Sequence, residues 1–165
     1  MIEKNIKIIE ICWEGPFNTK KVESLDNSGD YGLYQIYGTH TIFGQNSLLY
    51  IGKAEQQKFK HRFIQHKEWM HREISDLEIY IGRIGGVNPP LSDKIWTESI
   101  DCAEKLLIYF CSPPYNSSNI NNSGDYKDKV VLNFGKKNRL PYEVSTLYDE
   151  SEFWKGQNIW KQYTE

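Results

Sequence analysis

Cysteine is scarce in this chain: three in 165 residues, Cys12, Cys102 and Cys111, with no Cys-x-x-Cys pair. So small and scattered a set excludes a disulfide framework and a cysteine-rich zinc site, and reduced thiols in a cytosolic protein are expected. Long apolar runs are missing too. No run reaches the 18 residues of a membrane span, and the amino terminus MIEKNIKIIEICW lacks the apolar stretch of a signal peptide. A soluble, cytoplasmic protein with no membrane partner is the expectation. Net charge is only −2, so bulk electrostatics announce no nucleic-acid binder. A phosphate-cradling glycine loop or cofactor fingerprint is also absent, which leaves a small-molecule enzyme without support.

What is present is aromatic and locally basic. Aromatic residues make up 14%, with 11 tyrosines and 5 tryptophans, within an ordinary globular composition of 39% hydrophobic and 25% charged residues. The length suits a single domain, residues 1–165, with one core. Between residues 53 and 72 stand six basic residues, Lys53, Lys58, Lys60, Arg62, Lys67 and Arg72, against Glu55 and Glu68, together with His61, His66 and His71. A charge run of this kind is most often a solvated helix face.

Strands are expected at residues 5–13, 32–38, 48–53, 77–84 and 129–134, where β-branched and aromatic residues cluster or alternate. Residues 18–26 suit a helical turn or a loop. THTIFGQNS, between the second and third strands, reads as a long, flexible hairpin tip. Residues 58–74 carry Phe59, Phe63, Met70 and Ile74 at helical spacing, with Arg62 and His66 side by side at the stripe's margin. A second helix should start at Ser92 or Asp93 and run to about Phe110, with Trp96, Ile100, Ala103, Leu107 and Phe110 as its core stripe and Glu104 at its edge. Pro113 and Pro114 stop it. Residues 116–128, rich in Asn, Ser and Gly, read as a mobile loop. NSGDY occurs twice, at 27–31 and 122–126, as one turn chemistry used twice. The expected fold class is α+β: a small central antiparallel sheet of three strands flanked by helices, with extra terminal strands.

Singly, Tyr34, Tyr50, Arg62, His66 and Glu104 each read as packing or surface residues. Their order is more informative. G-L-Y at 32–34 precedes Y-I-G at 50–52, then K-x-x-x-R-x-x-x-H at 58–66, then E-x-x-L-I-x-x-x-x-P-P-x-N at 104–116. This set resembles the GIY-YIG nuclease superfamily, over residues 30–118. GLY replaces GIY, an apolar swap at a strand position.

The resemblance implies an endonuclease that hydrolyses phosphodiester bonds, with DNA as partner and one divalent metal, Mg²⁺ or Mn²⁺. Glu104 would hold that ion, since Mg²⁺ keeps several waters and needs few protein carboxylates. Arg62 would clamp the scissile phosphate with two donors. Tyr34 would act as general base, helped by His66, Lys53 or Arg62, because a phenol near pKa 10 is about one part in a thousand ionised at pH 7. Tyr50 would orient the water or the phosphate. Lys53 would touch substrate, and Asn116 would hold the loop or the phosphate. Tyr34 and Tyr50 lie 16 residues apart, further than in compact members of that family. Neither a zinc-ligand set nor a helix-turn-helix is evident, so targeting would come from the chain's own extensions, a homodimer or a separate partner. The alternative is a non-catalytic nucleic-acid or protein binding module on the same fold, with Trp69, Trp154 and Trp160 as stacking candidates.

Overall fold

The computed structural model describes residues 6–25, 31–55, 57–65, 70, 76–85, 92–122, 124 and 126–147. His66, Trp69, Ile74, Trp154 and Trp160, the first NSGDY copy before Tyr31, and most of the loop before Ser92 lie outside them.

Six strands form one mixed sheet: β1 (Lys7–Phe17), β2 (Gly32–His40), β3 (Gly44–Ala54), β4 (Glu78–Gly85), β5 (Lys129–Gly135) and β6 (Glu143–Ser145). Their order is β3-β2-β4-β1-β5-β6. The three helices among the described residues are α1 (Thr19–Glu23), α2 (Phe59–Gln65) and α3 (Asp93–Cys111). The class is α+β, but the sheet is twice the expected size. The antiparallel trio β3-β2-β4 exists, yet the terminal strands are not appendages to it. β1 lies inside the sheet, antiparallel to β4 and parallel to β5. It reads as interior because Ile9, Ile11 and Trp13 alternate into the core. β6 went unforeseen. Three residues with a single buried Val144 carry no periodic signal.

The hairpin tip also differs from expectation. β2 and β3 continue pairing as far as His40 and Gly44, leaving a three-residue turn. The His40 ring caps that turn, its Nδ1 accepting from the backbone N–H of Ile42 and Phe43 at 3.2 and 3.3 Å.

Each face of the sheet has its own core. One contains Leu33, Tyr37, Ile51, Ile9, Ile11 and Trp13 against α3. The other contains Tyr34, Ile36, Leu49 and Ala54 against Val22 of α1 and Phe59 and Phe63 of α2. A register shift between Ile36 and Tyr37 leaves Leu49 unpaired on β3. That bulge lets the consecutive residues Leu49 and Tyr50 pack against the same core.

α3 starts on its expected cap: the Ser92 hydroxyl accepts from Ile95 N–H. It ends at Ser112, left-handed at φ 45° just before the two prolines. Its buried face is Ser99, Ile100, Cys102, Ala103, Leu106, Leu107 and Ile108. Phe110, expected in the core, is 48% exposed. The stripe is wider than foreseen because Ile120 and Tyr126 fold back onto the same core. The segment after α3 is therefore pinned rather than free. Tyr126 donates to Asp101 at 2.6 Å, and Asn122 closes an Asx turn on Gly124 N–H at 2.7 Å. The three cysteines are unpaired, and burial pushes the thiols of Cys102 and Cys111 up to about 11. No helix among the described residues is long and apolar enough to cross a membrane.

Candidate active site

The site sits at the edge of the sheet, on β3, and draws on both faces. From the α2 face come Tyr34 and Tyr50, their rings stacked at 6.0 Å between centroids. Tyr34 is fully buried, wedged against Phe63 at 4.8 Å and Phe59 at 6.5 Å. Its hydroxyl lies over Gly52. A Cβ at that position would come within 2.5 Å of the Tyr34 oxygen and 2.7 Å of the Tyr50 ring. Gly52 is the pairing partner of Tyr34. The glycine of Y-I-G is thus the gap through which one phenol crosses the edge strand. The glycine of G-L-Y does a different job. Gly32 has φ +149°, and a Cβ there would overlap the carbonyl oxygen of Gly82 on β4.

Arg62, on α2, is hydrogen-bonded to Tyr34 and donates from Nη1 to Gln65 at 2.7 Å. Its Nε is buried and has no hydrogen-bond partner among the described residues. The phenol of Tyr34 is pushed well up, first by burial and then by Tyr50, with Arg62 pulling the other way. In this state Tyr34 is a neutral phenol.

From the α3 face come Glu104 and Lys53. The Lys53 ammonium lies 2.6 Å from Asp101, 2.6 Å from Glu55 and 3.8 Å from Glu104. Burial works against that charge, but the bonds from Asp101 and Glu55 and the field of Glu104 hold it above its ordinary pKa. Asp101 also accepts from Lys105 at 2.9 Å and from Tyr126. These partners outweigh its burial and drive its carboxyl far below the usual range. Glu104 behaves oppositely. Burial raises its pKa, Lys53 and Arg62 counter this only in part, and Asp101 and Glu55 add to the rise. Glu104 is felt at Tyr34 and at Arg62, so the acid, the guanidinium and the phenol share one electrostatic neighbourhood.

Asn116 stands apart from these charges. Its amide accepts from Ile51 N–H at 3.0 Å and donates to Ile51 C=O at 2.8 Å, and Tyr115 N–H bonds Leu49 C=O at 3.0 Å. The residue is buried and fastens the segment after α3 to the outer edge of β3. Of its two expected roles, holding the loop is the one this geometry serves.

Of the expected site residues, Tyr34, Tyr50, Arg62, Lys53 and Glu104 are brought together around β3, and Asn116 braces the same strand. His66 lies outside the described residues. Asp101, Glu55 and Tyr126 were missed. Asp101 precedes Glu104 by three residues, one helical turn, and Glu55 follows Lys53 by two, just past the end of β3; that spacing was the available signal.

The donors near Glu104 bear on the implied metal. No group of three or more His, Cys, Asp or Glu side chains arranged to hold an ion occurs among the described residues. A single, mostly desolvated carboxylate that lacks full countercharge suits a hard cation carrying most of its own waters. Comparisons with family models, curated proteins and solved structures gave no match for this chain.

Proposed function

We propose that this chain is a metal-dependent endonuclease of the GIY-YIG kind, cutting phosphodiester bonds in DNA. One observation carries the reading. A phenol passing over Gly52, a guanidinium bonded to it and a desolvated carboxylate from the opposite face meet at one sheet edge.

A phosphodiester resists hydrolysis because its charge repels nucleophiles, so catalysis needs charge neutralised, water aligned and the leaving oxygen stabilised. Arg62 meets the phosphate. Its Nε is a buried donor with no acceptor among the described residues, and a phosphate oxygen would supply one. Glu104 would hold the divalent cation, and Mg²⁺ or Mn²⁺ would supply positive charge to offset that of the phosphate. Arg62 stays beside the Tyr34 hydroxyl, where its charge favours the ionised phenol. Tyr34 and Tyr50 then orient the attacking water. For Tyr34 to take its proton, the phenol must ionise against its burial, which Arg62 favours and Tyr50 opposes. Lys53 needs no further acid to stay charged and steadies Glu104 beside it.

The second reading, a non-catalytic nucleic-acid or protein binding module, draws on the full burial of Tyr34. One experiment separates the two. Single-stranded DNA, duplex DNA and RNA are incubated with the protein in Mg²⁺, Mn²⁺ or chelator, alongside Glu104→Ala and Tyr34→Phe. Metal-dependent cutting lost in both variants supports the nuclease. Binding without cutting under every condition supports the module.

A further inference from the structure

Next to this site lies a cavity of about 350 Å³. Its walls include Tyr31 and Trp96, whose rings approach at 5.7 Å and 56°, with Ile100 beside them and Asp93, Glu55 and Lys58 as polar members. We infer that this cavity receives one unpaired nucleobase of the substrate, immediately beside the scissile phosphate. The inference rests on the nuclease reading above and adds to it a requirement for a base that is out of the stack.

Position is the first argument. The segments that carry the candidate site also line the cavity: α3 itself, and the residues that flank β2, β3 and α2. On α3, Ile100 precedes Glu104 by one turn. Lys58 precedes Arg62 by one turn, its carbonyl accepting from Arg62 N–H at 3.2 Å. Just past the end of β3, Glu55 follows Lys53 by two residues and holds its ammonium. A helical turn is 5.4 Å, comparable to the step between neighbouring nucleotides. A chain with its phosphate at Arg62 therefore carries an adjacent base to Tyr31 and Trp96.

Size and chemistry select the occupant. The volume falls at the low end of ligand sites, about 300–1,000 Å³, enough for one ring system and far too little for a duplex. Two aromatic walls suit a planar base, which has a π-face whatever its identity. Lys53 compensates Glu55, which leaves Asp93 against Lys58, so the cavity has no net positive charge to draw a phosphate away from Arg62 and it accepts a neutral base. The Trp96 indole N–H is closed off from solvent, so Trp96 meets the cavity with its ring and not with its donor, and its contact with a base is one of stacking.

The test uses the full chain in chelator, titrated into fluorescein-labelled single-stranded DNA whose cut position has been mapped in Mg²⁺. One nucleotide at a time near the cut is replaced by an abasic unit. A single position should weaken wild-type binding roughly tenfold. Trp96→Ala should lose about the same on the intact strand, and no more when both changes are combined. Trp96→Phe should keep most of the affinity. If the protein cuts DNA but no abasic position weakens binding, or if the abasic and Trp96→Ala losses multiply, the cavity assignment fails alone. If the protein neither binds nor cuts any nucleic acid, the nuclease reading fails and takes the assignment with it. The abasic scan needs no variant, so the assignment stays refutable even where Trp96→Ala misfolds.

Discussion

Gly52 and Glu104 show how single residues hold this site in tension. Gly52 leaves only enough room for the Tyr34 phenol, so Gly52→Ala should displace Tyr34 and Tyr50 without straining the backbone. Overpacking of this kind costs about 1–3 kcal/mol. Cleavage should fall at least about 100-fold, the scale expected when a reacting group is displaced by an ångström, while circular dichroism still reports a folded chain. Glu104 carries a pKa raised by burial. With the folded value above the unfolded one, the protonated form favours folding, and that contribution is lost as pH rises through the folded pKa. At neutral pH the ionised carboxylate therefore weakens the fold. Glu104→Gln should raise the melting temperature at pH 7, by less at pH 4, and abolish cutting. A lower melting temperature at pH 7 would contradict this. Tyr34 gives a complementary pH signature. Because burial and Tyr50 raise its pKa, single-turnover cutting should climb about tenfold per pH unit up to at least pH 9 if its ionised form is the base. A plateau near pH 7 would assign the proton to another group.

At the scale of elements, the decisive tie is between the end of α3 and the edge of β3. Asn116 acts there as a surrogate strand, bonding both backbone groups of Ile51. Asn116→Ala leaves a buried N–H and C=O unpaired, at about 1–3 kcal/mol each. Unfolding in urea should show a loss of about 2–6 kcal/mol, and cutting should fall further than stability alone explains, because the same strand carries Tyr50, Gly52 and Lys53. Much at this scale was legible beforehand. α3 declared both its ends, in Ser92 and in Pro113-Pro114, because capping and proline chemistry are local. Five of the six strands announced themselves through clustered β-branched and aromatic residues. Phe110 misled because helical spacing says which residues share a face and not how wide a neighbour will cover. The segment after α3 read as mobile from its polar composition, but Tyr126 and Ile120 are apolar enough to fold it down.

For the molecule as a whole, pattern reading could least foresee the sheet. Lys7 of β1 pairs with Lys129 of β5 across nearly the entire chain, and a parallel contact of that range leaves no trace in any short window. The region of resemblance, residues 30–118, contains β2, β3 and β4 but neither β1 nor β5. Yet β1 covers one side of β4 from Glu10 to Phe17, and Trp13 donates across the sheet to Asn133 at 2.9 Å. Residues 30–118 expressed alone should therefore fail to give a cooperative melt or dispersed amide resonances. Restoring residues 1–147 should recover both. A folded, active fragment 30–118 would show that the outer strands are dispensable.

Because the site straddles the rim of β3 instead of lying on either flat side, that rim has to be kept clear of other chains. Tyr115 and Asn116 do this by taking up the outward backbone groups of Leu49 and Ile51. A neighbouring protein strand finds no ladder there to extend, so the crossing point at Gly52 is left to substrate.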